Sequence, residues 1–130
     1  VNLYLAICAL DGKASASLSP PDITRLGLAG SDATCREVLE VFCAFLGTVA
    51  GNLALTLGAL GGLYIGGGVV PRFGKFIASS GFRERFEDKG RYANYLAPVP
   101  AYVIHSDKPA FVGLIRAFES PGPRVEAAGK

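Results

Sequence analysis

Apolar side chains fill residues 2–10 almost without interruption and Gly12 closes the run, which predicts a short apolar helix. Small and polar residues at 15–19 predict a loop. Ser19-Pro20-Pro21-Asp22 then has the composition of a helix start: a hydroxyl cap, proline in the first turn and an acid three positions on. That helix should stop within residues 27–30, where Gly27 and Gly30 sit. Thr34-Cys35-Arg36-Glu37 has the spacing of a capping box, with Ser31 and Asp32 as alternative caps upstream, and a long helix is predicted from there to Gly58. Its charges (Arg36, Glu37, Glu40) are confined to the first turns, so it should start at the surface and run into the core. Gly47, Ala50, Gly51 and Ala54 line another side. An interior glycine costs about 1 kcal/mol against alanine, so close approach of a neighbouring backbone is the expected compensation, a kink near Gly51 the alternative.

Beyond Gly58 the elements shorten. Residues 63–65 predict a buried strand, Gly66-Gly67-Gly68 a turn, and residues 69–79 a helix opened by Val69-Val70-Pro71 and stopped at Gly81. Residues 82–92 mix aromatic and ionic side chains and predict a solvated helical face with Phe82 and Phe86 turned inward. Residues 100–105 predict a second strand, and Asp107-Lys108-Pro109 leads into a last helix reaching about Glu119. Residues 120–130, rich in proline and glycine, predict a disordered tail. The fold class is therefore α/β, helix-rich, with two short strands. Two strands do not make a stable sheet alone, so these should join a sheet whose other strands come from elsewhere. A helical pattern that is already under way at Val1, with no initiator Met, likewise reads as a piece of a longer protein.

Composition narrows the function classes. Half of the 130 residues are apolar, enough for a working core. A net charge of +2 and a pI near 8.5, without basic clusters, do not make a nucleic-acid footprint. Cys8, Cys35 and Cys43 show no metal-ligand spacing; Cys35 and Cys43 are about 12 Å apart along a helix, too far for a disulfide. Three buried, reduced thiols are expected. The window between Glu40 and Arg72 carries no charge and is long enough to suggest a membrane span. Its glycines interrupt that reading, and Thr48, Asn52 and Thr56 recur at helical spacing as a polar stripe suited to a buried helix with specific hydrogen bonds. No membrane and no nucleic acid are expected as partners.

The chemistry concentrates in Gly61-Gly-Leu-Tyr-Ile-Gly-Gly-Gly-Val-Val-Pro-Arg72, a strand, a glycine turn and a predicted helix start. Glycines remove Cβ atoms, so a base, ribose or phosphate can lie on bare backbone, and a helix start offers unpaired N–H groups. The pattern matches neither a P-loop nor a dinucleotide fingerprint. Among acids, Glu87, Asp88 and Asp107 are expected to make surface pairs or caps, and the lone His105 to be packed or solvent-facing. No metal ligands are assigned.

Phe42-Cys43, Leu46-Gly47, Ala50-Gly51-Asn52-Leu53-Ala54-Leu55, Gly66-Gly67-Gly68-Val69-Val70-Pro71-Arg72-Phe73, Ser80-Gly81-Phe82-Arg83 and Arg85-Phe86-Glu87-Asp88-Lys89-Gly90-Arg91 together resemble the C-terminal signature of bacterial glucokinases. The likeness covers all but the tail, in order. It implies a two-lobed actin-like (RNase H-like) ATPase fold of the hexokinase superfamily, with residues 1–119 as the C-terminal part of the large lobe. It implies a cytoplasmic enzyme, often a homodimer, that phosphorylates the 6-hydroxyl of glucose with ATP and Mg²⁺. Gly66, Gly67 and Gly68 would form the adenosine-binding corner, with Val69 and Val70 nearby. The family's catalytic Asp, its phosphate-binding glycine loop and its sugar-binding Glu and His residues fall upstream of Val1, so no catalytic residue is assigned and the chain should be inactive alone. The alternative is a non-catalytic sugar-sensing or regulatory relative on the same fold.

Overall fold

The protein, represented by a computed structural model, is described over residues 1–106 and 108–119. The tail expected at 120–130 lies outside the described residues. Helix α1 (Asn2–Leu10) precedes α2 (Pro20–Ala29), which opens on the predicted capping box: Ser19 Oγ accepts from the Asp22 amide and the Asp22 carboxylate accepts from the Ser19 amide, both at 3.3 Å. Helix α3 (Ala33–Leu57) is the spine of the molecule. Its cap is Asp32, whose carboxylate accepts from the Cys35 amide at 2.8 Å; Thr34, offered by the sequence as a cap, instead sits buried in the first turn.

Two hydrophobic clusters share this spine. The N-terminal half of α3 closes over α1 and α2 through Tyr4, Ile7, Cys8, Ile23, Cys35 and Val38. The rest gathers Cys43, Ala50, Ala54, Phe73, Phe82 and Phe86 into the main core. Helix α5 (Phe82–Glu87) lies directly on α3, where a Cβ at Gly47 would run into the Phe82 carbonyl and one at Gly51 into the Phe86 carbonyl. The glycine side of α3 therefore does admit a neighbouring backbone, and the helix runs unbroken through Gly51.

The polar stripe faces the other way. Asn52 and Thr56 are exposed and Thr48 half-buried, and the threonine hydroxyls donate back to the carbonyls of Ala44 (3.1 Å) and Asn52 (2.8 Å) within the same helix. The expected buried hydrogen-bonding stripe is thus an outward, self-satisfied one, because the small-residue side was needed inward for α5. By length and composition α3 could cross a membrane; 39% of its most apolar window is buried within this fold.

Strands β1 (Leu63–Ile65) and β2 (Ala101–Val103) pair in parallel. Ile65 faces the core, whereas Tyr64 is 66% exposed and stacks on Tyr102 across the strands at 5.1 Å, so β1 is buried on one face only. Between the strands the chain forms a 3-10 turn (Val70–Phe73), α4 (Phe76–Ser79), α5, a second 3-10 turn (Gly90–Tyr92) and α6 (Ala93–Leu96). The single helix expected over 69–79 does not form. Gly74 takes φ +54°, a left-handed conformation that breaks the helical path. The helix expected over 82–92 likewise ends at Glu87. The final helix, α7 (Pro109–Glu119), agrees with the prediction and leaves its apolar residues exposed.

Candidate functional site

Parallel pairing decides where the site lies. Leu63, Tyr64 and Ile65 sit opposite Ala101, Tyr102 and Val103, and the Ile104 amide donates to the Ile65 carbonyl at 2.9 Å. Both chains therefore leave the sheet side by side at their carboxyl ends, the position where open α/β sheets bind ligands. Gly66–Gly68 forms one bank and residues 104–106 the other. Between them lies a cleft of about 400 Å³ lined by Gly67, Gly68, Arg72, His105 and Ser106, with Pro71, Ile104 and Pro109 as its apolar patches.

The glycine bank is bare. No heavy atom stands within 4 Å of a Cβ built on Gly67 or Gly68, and one on Gly66 would meet only Ile104 Cδ1, at 3.7 Å. Gly67 also needs its identity for backbone reasons, since its φ of +111° is one that side chains resist. Val69 stands at the rim, 53% exposed, whereas Val70 is 6% exposed and packs into the core with Phe73. Of the five residues singled out by sequence, the three glycines and Val69 border open space and the Val70 side chain does not. Val70 and Phe73 instead anchor the turn that carries Arg72 outward.

The helix mouth that was expected beside the glycines is only a four-residue 3-10 turn. Such a turn aligns few peptide dipoles, so attraction for an anion must come from loop N–H groups and from side chains. Arg72, His105 and Ser106 supply them, and sequence reasoning assigned none of the three to the site. Arg72 closes the glycine segment that the sequence singled out, whereas His105 and Ser106 are signalled only by position at the end of a predicted strand, legible once the strands are known to be parallel neighbours.

The candidate carboxylates lie elsewhere. Glu87 pairs with Arg83, and Asp88 with Arg85 at 3.3 Å, both along α5 and away from the cleft. Asp107 lies outside the described residues. Among the described residues no three His, Cys, Asp or Glu side chains converge. A second groove of about 380 Å³ runs between α3 and α5, but its Arg85 and Asp88 are paired with each other and no bare backbone faces it.

A glucokinase family model matches residues 1–120. The chain belongs to the glucokinase family. It is 59% identical over 112 residues to the glucokinase of Chromobacterium violaceum, covering 86% of this chain and 32% of that protein. To the glucokinase of Nitrobacter hamburgensis it is 54% identical over 114 residues, covering 88% of this chain and 36% of that one. A crystal structure of glucokinase from an Antarctic psychrotroph superposes with a TM-score of 0.77 at 38% identity, over 91% of this chain and 37% of the other. The chain thus spans about a third of the length of these glucokinases and corresponds to their C-terminal part. The helix-rich body with two parallel strands is accordingly an α/β piece of an actin-like glucokinase fold.

Proposed function

We propose that this chain is the C-terminal part of an ATP-dependent glucokinase, acting on the 6-hydroxyl of glucose, and that it supplies the adenosine-binding corner. The observation that carries the reading is the open glycine shelf of Gly66–Gly68 at the carboxyl ends of two parallel strands, in a chain of this family. Val69 borders the shelf, and Val70 contributes by holding the turn in place.

Phosphoryl transfer to a sugar hydroxyl needs a carboxylate to accept its proton and a held phosphate chain. The described residues put no carboxylate into the cleft; on this reading the chain binds and orients the nucleotide, and the proton acceptor and sugar contacts come from the rest of the enzyme. Mg²⁺ would screen the phosphates during transfer. No described cluster fits it as a ligand set, so its ligands would be the phosphates and groups outside the described residues. The full-length enzyme would be cytoplasmic and a homodimer, with no membrane or nucleic-acid partner.

The test is Gly68→Leu in the full-length protein, assayed by glucose 6-phosphate production. A side chain there meets no neighbour and needs no unusual backbone, so the fold should be kept while the shelf is filled. KM for ATP should rise about tenfold or more with KM for glucose unchanged, the signature of lost ground-state binding of one substrate. An unchanged KM for ATP would remove the shelf from the nucleotide site. A wild-type protein that binds glucose without turnover would favour the sugar-sensing alternative.

A further inference from the structure

Resting on the reading of the cleft as a nucleotide site, we propose that Arg72 grips the phosphate chain rather than the base, and so determines specificity for nucleotides over nucleosides. Arg72 is mounted rigidly. On either side of it in the 3-10 turn, Val70 and Phe73 are buried in the main core, which fixes the backbone and leaves the Arg72 side chain to line the cleft beside Gly67 and Gly68. With the backbone already fixed, the ordering cost on binding is confined to the side chain.

Its electrostatic situation differs from that of its neighbours. Arg25, Arg36, Arg83, Arg85 and Arg116 each pair with a carboxylate three or four residues away on their own helix. Among the described residues Arg72 and Arg91 have no such pair, and of the two Arg72 lines the cleft. Across the cleft stand His105 and Ser106, an imidazole and a hydroxyl that can each donate a hydrogen bond; Ser106 Oγ itself accepts one from the Lys108 amide at 3.3 Å. A guanidinium fork, two further donors and glycine backbone suit phosphate oxygens, which take bidentate guanidinium contacts. The apolar patches of the cleft, Pro71, Ile104 and Pro109, are then left to the base.

The experiment measures inhibition of the full-length enzyme, competitive with ATP, by ADP and separately by adenosine, in wild type, Arg72→Ala, Arg72→Gln and Arg72→Lys. Arg72 is exposed, so all variants should fold, checked by an unchanged melting temperature. ADP should bind Arg72→Ala and Arg72→Gln about tenfold more weakly or worse, while adenosine stays within about twofold; Arg72→Lys should recover part of the loss, as a point charge without the fork. Equal losses for ADP and adenosine would overturn the proposal by placing Arg72 on the base or ribose. No loss for either would overturn it by removing Arg72 from the site. If Gly68→Leu raises KM for ATP while the Arg72 variants change nothing, only this inference fails; if Gly68→Leu is also silent, the nucleotide reading of the cleft fails with it.

Discussion

Cys35 sits fully buried at the start of α3, and burial pushes its thiol up from 9.0 to about 11, with the neighbouring Asp32 carboxylate adding to the rise. The unfolded thiol ionises near its ordinary value, so between about pH 9 and pH 11 the unfolded chain binds fewer protons than the folded one. Stability must fall across that window, by on the order of 2 kcal/mol from this group, and it is fully present below pH 9. Urea unfolding at pH 8.5 and pH 10.5 should show an alkaline loss that shrinks in Cys35→Ala; an equal loss in both proteins would show that Cys35 is not its source. At pH 8 the native thiols of Cys8, Cys35 and Cys43, all buried, should resist thiol reagents until the chain unfolds. Their burial was expected from the sequence, where no metal-ligand or disulfide spacing appears and free thiols are among the most buried side chains. The role of Arg83 was not: its guanidinium donates to the carbonyls of Val99 at 2.7 Å, Leu96 at 3.2 Å and Ala97 at 2.5 Å, and lies over the Phe86 ring. A sequence shows an arginine on a charged helix, but not which distant carbonyls need a donor.

At the scale of elements, the α3–α5 contact rests on Gly47 and Gly51. A methyl group at Gly51 would strike the Phe86 carbonyl, a backbone atom that cannot rotate away. Alanine would gain helix propensity of about 1 kcal/mol, but overpacking costs roughly 1–3 kcal/mol, and against rigid backbone the upper part of that range applies. Gly51→Ala should therefore lower stability by about 2 kcal/mol, whereas Gly113→Ala in α7, where a Cβ meets nothing, should be neutral or stabilising. Denaturant midpoints of the two variants decide it, and equal shifts would mean that α3 and α5 are not in backbone contact. This contact was readable because two interior glycines one helical turn apart need an explanation. The break at Gly74 was harder to see, since glycine after a proline-started turn is compatible with either a tolerated interior residue or a left-handed stop. Similarly, the glycine bank of the cleft was legible as local sequence. Its partner bank was not, because His105 and Ser106 come to face Arg72 and the glycines only through the pairing of β1 with β2.

On the scale of the whole molecule, the surfaces left open are apolar and large. Phe45, Val49, Leu53 and Leu57 form a stripe along α3, Tyr64 and Tyr102 cover the outer sheet face, and Phe111, Leu114, Ile115 and Phe118 line one side of α7. Among the described residues, the two paired strands also leave both sheet edges without partners. Exposed apolar area on this scale marks contact surfaces, and relatives about three times as long have the additional chain with which to cover some of it. Expressed as residues 1–130, the chain should self-associate, with sedimentation giving a mass above 13.5 kDa that rises with concentration. It should produce no glucose 6-phosphate, and calorimetry with Mg-ATP should detect weak binding or none. On the proposed reading the reason is geometric: half a cleft could touch a nucleotide but could not hold its γ-phosphate in line with a hydroxyl, and that alignment supplies much of the rate. A monodisperse monomer that binds Mg-ATP at micromolar concentration would show instead that the cleft at the carboxyl ends of β1 and β2 is complete without the rest of the enzyme.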